Sequence, residues 1–137
     1  MNVTISLPSI QKIYMVKCAD IAPNILEKHL SGLPVGIYPL PEEVEQYGTG
    51  SCVAEQEYED GSLVETATLQ FDTAQEIPGS TGMAFVVGDN NGKFYIIGRK
   101  EKPYPAITVN KNIGTESTYN TVKVVFKSRK ALIPCFI

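Results

Sequence analysis

The chain has 137 residues, of which 43% are hydrophobic and 20% charged, and its formal net charge is −3 at pH 7. These values are typical of a globular domain and argue against a disordered chain or a coiled coil. No run approaches the roughly 18 apolar residues of a membrane-spanning helix, so we expect no membrane partner. The first ten residues do not match a signal peptide, which predicts a cytoplasmic location at synthesis.

The first predicted elements are a strand and a short helix. Residues Ile10 to Cys18 contain β-branched and aromatic side chains without a breaker, which predicts a strand. Residues 23–30 predict the helix, because Pro23 suits its first turn, leucines recur one turn apart and Gly32 can end it. A helix this short is marginal alone, so we expect it to dock on a sheet or close one end of a barrel.

A long irregular segment follows the helix. From Leu33 to Gly50 prolines and glycines interrupt the pattern and allow at most a brief strand around Val35 to Tyr38. Such a long loop is uncommon unless it contributes to an interface or a site.

The first of two β-hairpins spans Cys52 to Phe71 and turns at Asp60-Gly61. A two-residue loop there predicts three mostly apolar pairs on one face: Tyr58 with Leu63, Ala54 with Ala67 and Cys52 with Leu69. Gln56 opposite Glu65 is the polar exception on that face. The other face carries acidic side chains, as expected of a sheet with one side in water.

The second hairpin spans Met83 to Arg99 and is apolar at consecutive positions of both strands. We therefore expect both faces to be covered and this hairpin to lie at the centre of the core. Its loop is either the two residues Asn91-Gly92 or the four residues from Asp89 to Gly92.

The C-terminal third predicts further strands. Residues Ala106 to Asn110 and Thr121 to Ser128 are the candidates, separated by a polar loop from Lys111 to Tyr119. Residues Ala131 to Ile137 carry no charged side chain, so we expect them to pack against the body of the protein or a neighbour.

These elements predict the fold class. We expect one mainly β domain over residues 1–137, an antiparallel β-sandwich or β-barrel with one short helix at about residues 23–30. The strand order, and hence the choice between sandwich and barrel, is not determined by this pattern.

Catalytic and metal-binding patterns are incomplete. His29 is the only histidine, and Cys18, Cys52 and Cys135 are odd in number and lack CxxC spacing. We expect each cysteine to be a small buried hydrophobe and His29 to lie on the helix surface. The sequence therefore predicts no catalytic residues, no metal site, no cofactor and no small-molecule substrate, with an unrecognised enzyme as a minor alternative.

Charge is distributed unevenly along the chain. Residues 1–76 hold three basic and twelve acidic side chains, a net −9, whereas residues 77–137 hold nine and three, a net +6. The two regions either meet between subunits, which would generate a ring or stack, or neutralise each other within one chain. The candidate interaction surface consists of Glu55, Glu57, Glu59, Arg99, Lys100, Lys102, Lys127, Arg129 and Lys130. Its basic members would suit nucleic acid, but the acidic total argues against that partner.

The segments Ala84 to Lys93, Gly98 to Pro105 and Ala131 to Cys135 resemble those of small uncharacterised proteins encoded in phages and prophages of Bacteroides-type bacteria. The matching motifs are a hairpin turn and two proline-containing extended segments. The resemblance implies a virion-assembly or tail-associated component and transfers no catalytic residue to this chain.

These observations predict a non-enzymatic structural or assembly protein of phage or prophage origin. Its expected partners are further copies of itself or other virion proteins, and its expected location is the cytoplasm at synthesis and then the virion. The alternative is a monomeric binding module for a peptide or glycan, which an exposed concave patch containing Tyr38, Tyr47 or Tyr104 would favour.

Overall fold

The computed structural model describes residues 3–7, 9–37, 42–77, 82–101, 104–113 and 118–136. Ten strands dominate the fold, accompanied by one 3-10 helix, Cys18–Asp20, and one α-helix, α1 (Ile25–Leu30). The strands are β1 (Val3–Ser6), β2 (Ile10–Lys17), β3 (Glu42–Val44), β4 (Tyr47–Glu59), β5 (Ser62–Thr73), β6 (Met83–Asp89), β7 (Phe94–Ile97), β8 (Ala106–Ile113), β9 (Thr118–Ser128) and β10 (Ile133–Cys135). The predicted class, mainly antiparallel β with one short helix, is confirmed.

The strands form one open antiparallel sheet in the order β10-β7-β6-β2-β4-β5-β9-β8, with β1 paired to β4 and β3 paired to β2. A single residue pair, Ile10 with Gly50, joins β2 to β4. This link divides the sheet into two groups of five strands. We call them the β4 half (β1, β4, β5, β8 and β9) and the β6 half (β2, β3, β6, β7 and β10).

The main core lies between the two halves. Alternate residues of β5 and β9 in the β4 half belong to the same buried cluster as alternate residues of β2 and β6 in the β6 half. Phe71 of β5 and Phe85 of β6 are in direct contact, with ring centroids 6.1 Å apart. The sheet therefore folds over so that one face of each half excludes water from the other.

A second buried cluster covers the outer face of the β6 half. Ala84 and Val86 of β6 point into it, together with Ile25 and Leu26 of α1. Because the alternating residues Phe85 and Val87 enter the main core, β6 is buried on both faces, as the sequence predicts. The helix docks on the outer face of the β6 half.

The helix ends as its sequence indicates. Gly32 adopts a φ of 79°, a left-handed conformation that suits glycine. The backbone N–H of Leu33 donates to the carbonyl of Lys28, and that of Gly32 donates to the carbonyl of His29. These two bonds form a Schellman motif and satisfy carbonyls that the helix would otherwise leave without partners.

The first hairpin has the predicted register. The pairs Cys52 with Leu69, Ala54 with Ala67, Gln56 with Glu65 and Tyr58 with Leu63 are all present.

The loop of the second hairpin differs from both loops that the sequence predicts. Gly88 pairs with Phe94, which leaves a three-residue loop of residues 90–92 closed by the Asp89 carboxylate.

Two predicted loops contain strands. Within residues 33–50 the structure has a β-bridge at Gly36, strand β3 and the start of β4. In the predicted polar loop at 111–119, residues 111–113 belong to β8 and residues 118 and 119 to β9, while residues 114–117 lie outside the described residues. In both places strand pairing satisfies the backbone polar groups despite weak local strand propensity.

The apolar C-terminal segment is packed on the body through Ala131, Leu132 and Ile133, all of which are buried. No helix in the described ranges is both long enough and apolar enough to cross a membrane.

Candidate functional site

The three acidic members of the predicted interaction surface follow the outward side of β4. Glu55 and Glu57 flank Gln56, which hydrogen-bonds the buried Glu65, and Glu59 follows at the end of the strand. Thr66 of β5 pairs with Glu55 on one side and with Lys127 of β9 on the other. An acidic strand and a basic strand therefore lie on the same solvent-facing surface, separated by one strand.

Glu59 and Lys127 form an ion pair across this surface. The Lys127 ammonium donates to the Glu59 carboxylate at 2.8 Å. This hydrogen bond lowers the pKa of Glu59 and raises the pKa of Lys127. Both side chains are about half exposed, so solvent screening leaves the pair with little effect on stability.

Two basic members lie on the β6 half. Arg99 and Lys100 follow β7 beside the 3-10 helix, where the Lys100 ammonium donates to the carbonyl of Ala19 at 3.2 Å. The backbone of Arg99 hydrogen-bonds the thiol of Cys18. These residues are thus separated from the acidic strand, and Lys102 lies outside the described residues.

The remaining two members belong to the segment between β9 and β10. Arg129 lines a surface cavity of about 420 Å³ together with Leu30 and Leu63. Lys130 reaches the buried carboxylate of Glu65 at 3.3 Å. The eight predicted surface residues that the structure describes are therefore distributed over several places and do not form one continuous patch.

The ion pairs connect the acidic and basic regions of the sequence. In the described part of the chain there are three, and each joins a carboxylate from residues 1–76 to an ammonium from residues 77–137: Glu59 with Lys127, Glu65 with Lys130 and Glu76 with Lys111. At these positions the two regions neutralise each other within one chain, which was one of the two alternatives left open by the sequence.

The cysteines and the histidine are placed apart. Cys52 is buried in the main core and Cys18 in the outer cluster, while His29 lies half-exposed on α1. Burial raises the pKa of Cys18 to about 11 and, together with the charge of Glu65, raises that of Cys52 to about 12. Thiols of such low acidity are poor nucleophiles at neutral pH.

Metal-ligating side chains do not converge in the described ranges. No group of three or more His, Cys, Asp or Glu side chains there could hold a metal ion. A surface cavity of about 330 Å³ between β7 and β10 is lined by Phe94, Tyr95 and Cys135 among others. Burial raises the pKa of Cys135 to about 12, so its thiol stays protonated there.

An open sheet edge is a further candidate interaction feature. Strand β8 has eight residues and pairs with β9 along one edge. Among the described residues no strand pairs with its other edge, which leaves a row of backbone donors and acceptors facing solvent. Ile113 at its end is 80% exposed. An exposed edge of this kind can accept another strand.

Comparison of the chain with protein-family models, curated proteins and solved structures finds no match.

The tyrosines that would favour a binding module occupy different regions. Tyr104 is partly buried against the outer cluster, and Tyr38 lies outside the described residues. Tyr47 is 52% exposed at the start of β4 and contacts Tyr119 of β9. Sequence reasoning did not connect Tyr47 with Tyr119, because 72 positions separate them and only the strand order brings them together.

The open β8 edge was also missed. Its signal in the sequence is the alternation of Ile107, Val109 and Ile113 with polar residues, which continues into the segment predicted as a loop. A strand's position at the edge of a sheet depends on the strand order, which one sequence does not reveal.

Proposed function

We propose that this chain is a non-enzymatic structural or assembly protein of phage or prophage origin that self-associates through the open edge of β8. The resemblance of its hairpin and proline-containing segments supports the origin. The observation that carries the self-association is an eight-residue strand with one edge that no other described strand pairs with. Eight residues correspond to about 26 Å of backbone available for pairing.

Two other edge strands, β3 and β10, are protected in ways that β8 is not, and the edge strand β1 has only four residues. β3 is three residues long and carries Glu42 and Glu43, and β10 is three residues long and contains Pro134. Charges, proline and short length all discourage strand addition. β8 has a single charged residue, Lys111, and no proline within its bounds.

The sequence of β8 is compatible with antiparallel pairing to a second copy. A two-fold axis at Asn110 would place Ile113 of each copy opposite Ile107 of the other. Ile113 is 80% exposed, and Ile107 is partly buried against the core, so this register would cover apolar surface. Lys111 would face Val109, which keeps the two lysines from lying directly opposite each other.

The test is the oligomeric state of the full chain by sedimentation equilibrium over a wide range of protein concentration. We expect a dimer or larger homo-oligomer that persists in about 1 M salt, where the Debye length is only about 3 Å. Pairing by backbone hydrogen bonds and apolar contact predicts this persistence, whereas association by charged surfaces predicts dissociation. A monomer under all these conditions would contradict the proposal.

A variant pair localises the contact. The double substitution Asn110→Glu and Ile113→Glu puts carboxylates on the edge, with the two residues at position 110 facing each other across the axis, and should yield monomer. Leu33→Glu is the matched control, since Leu33 is also an exposed apolar residue, at 57%, but lies beyond α1. Equal association of both variants would place the contact elsewhere on the molecule.

A further inference from the structure

Two tyrosines form an aromatic pair at one end of the β4 half, in which Tyr47 is 52% exposed and Tyr119 is partly buried. Tyr47 of β4 and Tyr119 of β9 meet edge to face, with ring centroids 6.3 Å apart and an interplanar angle of 75°. Tyr47 pairs with Asp72 of β5, and Asp72 pairs in turn with Thr121 of β9. These side chains therefore lie on the same outward face of the sheet.

A hydrogen-bond chain of fixed direction runs beside the aromatic pair. The Asn112 amide donates to the Thr121 hydroxyl at 2.8 Å, and that hydroxyl donates to Asp72 Oδ1 at 2.8 Å. Among the described residues no donor reaches Asp72 Oδ2 or Asn112 Oδ1. These two oxygens of half-buried side chains thus remain as acceptors close to the ring of Tyr47.

Buried hydrogen bonds hold this surface from beneath. Thr73, which is fully buried, donates to the carbonyl of Glu45 and accepts from the backbone N–H of Gln75. Asn120, 3% exposed, donates to the carbonyl of Gln75. These hydrogen bonds link the segment before β4, the end of β5 and the start of β9, so the aromatic pair has a rigid support.

We infer that Tyr47, Tyr119, Asp72, Thr121 and Asn112 form a binding site for a pyranose sugar. The C–H groups on one face of a pyranose ring pack against an exposed aromatic ring, and its hydroxyls donate to neighbouring acceptors of fixed position. The Tyr47 ring would pack against the C–H groups of the sugar, and Asp72 Oδ2 and Asn112 Oδ1 would accept hydrogen bonds from its hydroxyls. We call these five residues the tyrosine site.

The charge of the surroundings fits a neutral ligand. Lys123 follows Thr121 on the outward side of β9, where it pairs with the neutral Gln70, so one cation and the Asp72 carboxylate lie near the tyrosine site. An edge-to-face pair also lacks the enclosing faces with which aromatic cages hold a quaternary ammonium ion. A neutral polyhydroxylated ligand matches acceptors beside a ring better than an ion of either sign.

This inference goes beyond self-association, although the two surfaces share β8, because Asn112 belongs to that strand. Tyr47 lies on β4, and β5 and β9 separate it from the open edge of β8. A site on an open sheet face contacts only one side of a sugar, so we expect a dissociation constant on the order of 1 mM for a monosaccharide.

The test is a titration of the full chain with methyl glucoside, methyl galactoside and methyl mannoside, followed by amide chemical shifts in NMR spectra. We expect saturable shifts for at least one glycoside at residues 47, 72, 119 and 121. Tyr47→Ala should weaken binding about tenfold or more. Tyr58→Ala is the matched control, because Tyr58 is a tyrosine 68% exposed on the same strand but remote from the hydrogen-bond chain, and it should bind as the wild type does.

Thr121→Val provides a second, independent variant. It keeps the shape of the side chain and removes the hydroxyl that orders Asn112 and Asp72, so it should also weaken binding while leaving the spectrum otherwise intact. Absence of saturable shifts with all three glycosides would overturn the inference. Saturable binding that both Tyr47→Ala and Thr121→Val leave unchanged would overturn it equally.

Discussion

The backbone N–H of Leu132 donates a 2.8 Å hydrogen bond to the carboxylate of Glu65, a side chain with no exposed surface. The same carboxylate accepts from the backbone N–H of Ala131 and from the side chains of Gln56 and Lys130. A buried carboxylate is tolerated because these four donors replace its hydration. Glu65 thereby attaches the segment that leads into β10 to the inner side of the first hairpin.

Removal of this carboxylate is the first prediction. Glu65→Ala leaves two buried backbone N–H groups and the Lys130 ammonium without their acceptor, so it should lower the free energy of unfolding by about 3 kcal/mol. Glu65→Gln retains one acceptor oxygen and should cost less. Urea denaturation monitored by circular dichroism measures the free energy of unfolding of both variants. Glu55→Ala, at an exposed position of β4, is the control and should stay within about 0.5 kcal/mol of wild type.

The second prediction concerns glycine at position 98. Gly98 has a φ of 121°, and a Cβ atom there would lie 2.7 Å from the Cβ of Ala84. Gly98→Ala combines backbone strain with a clash in the core, so we expect the free energy of unfolding to fall by about 3 kcal/mol, measured by thermal or urea unfolding. Gly92→Ala shares the positive φ, at 80°, but meets open space and should cost only about 1 kcal/mol. Equal costs for the two variants would show that Ala84 does not limit this position.

The third prediction concerns the turn of the second hairpin. Asp89 Oδ1 accepts from the backbone N–H groups of Asn91 and Lys93, and the side chain is 6% exposed. Asp89→Ala should therefore destabilise the protein by about 1 to 2 kcal/mol, whereas Asp89→Asn keeps an acceptor and should cost less. Asn90→Ala, at an exposed loop position, serves as control in the same urea series. If Asn90→Ala lowered the stability as much as Asp89→Ala does, the proposed role of the Asp89 carboxylate would be contradicted.

The fourth prediction is a loss of stability at alkaline pH. Burial, with the charge of Glu65 adding to it, raises the pKa of Cys52 from an ordinary value of 9.0 to about 12. Between these values the unfolded thiol is ionised and the folded thiol is not, so the unfolded state binds fewer protons. The free energy of unfolding should then fall as pH rises above 9, by up to about 1.4 kcal/mol per pH unit for this thiol. Below pH 9 this group contributes no pH dependence.

Urea denaturation between pH 7 and pH 10 measures this dependence, in the wild type and in Cys52→Ala. The variant should show a shallower decline above pH 9, whatever its stability at pH 7. Identical declines in the two proteins would show that Cys52 does not contribute to the loss.

The sequence by itself determined the local pairing of this protein. The register of the first hairpin follows from Asp60-Gly61, which has the left-handed backbone conformations that such a two-residue turn requires. The burial of β6 on both faces follows from its unbroken apolar run, and the end of α1 follows from Gly32. Each of these features depends on interactions between residues close together in the chain, which is why alternation and turn chemistry suffice to predict them.

Only the tertiary structure decided which strands lie next to each other. Strand order places β9 beside β5, and so brings Lys127 to Glu59 and Lys130 to Glu65 within one chain. It also leaves β8 at an open edge and brings Tyr119 to Tyr47. These contacts join residues far apart in sequence, and the free energy that selects them comes from burying the common core between the two halves of the sheet. No local pattern in the chain records that choice.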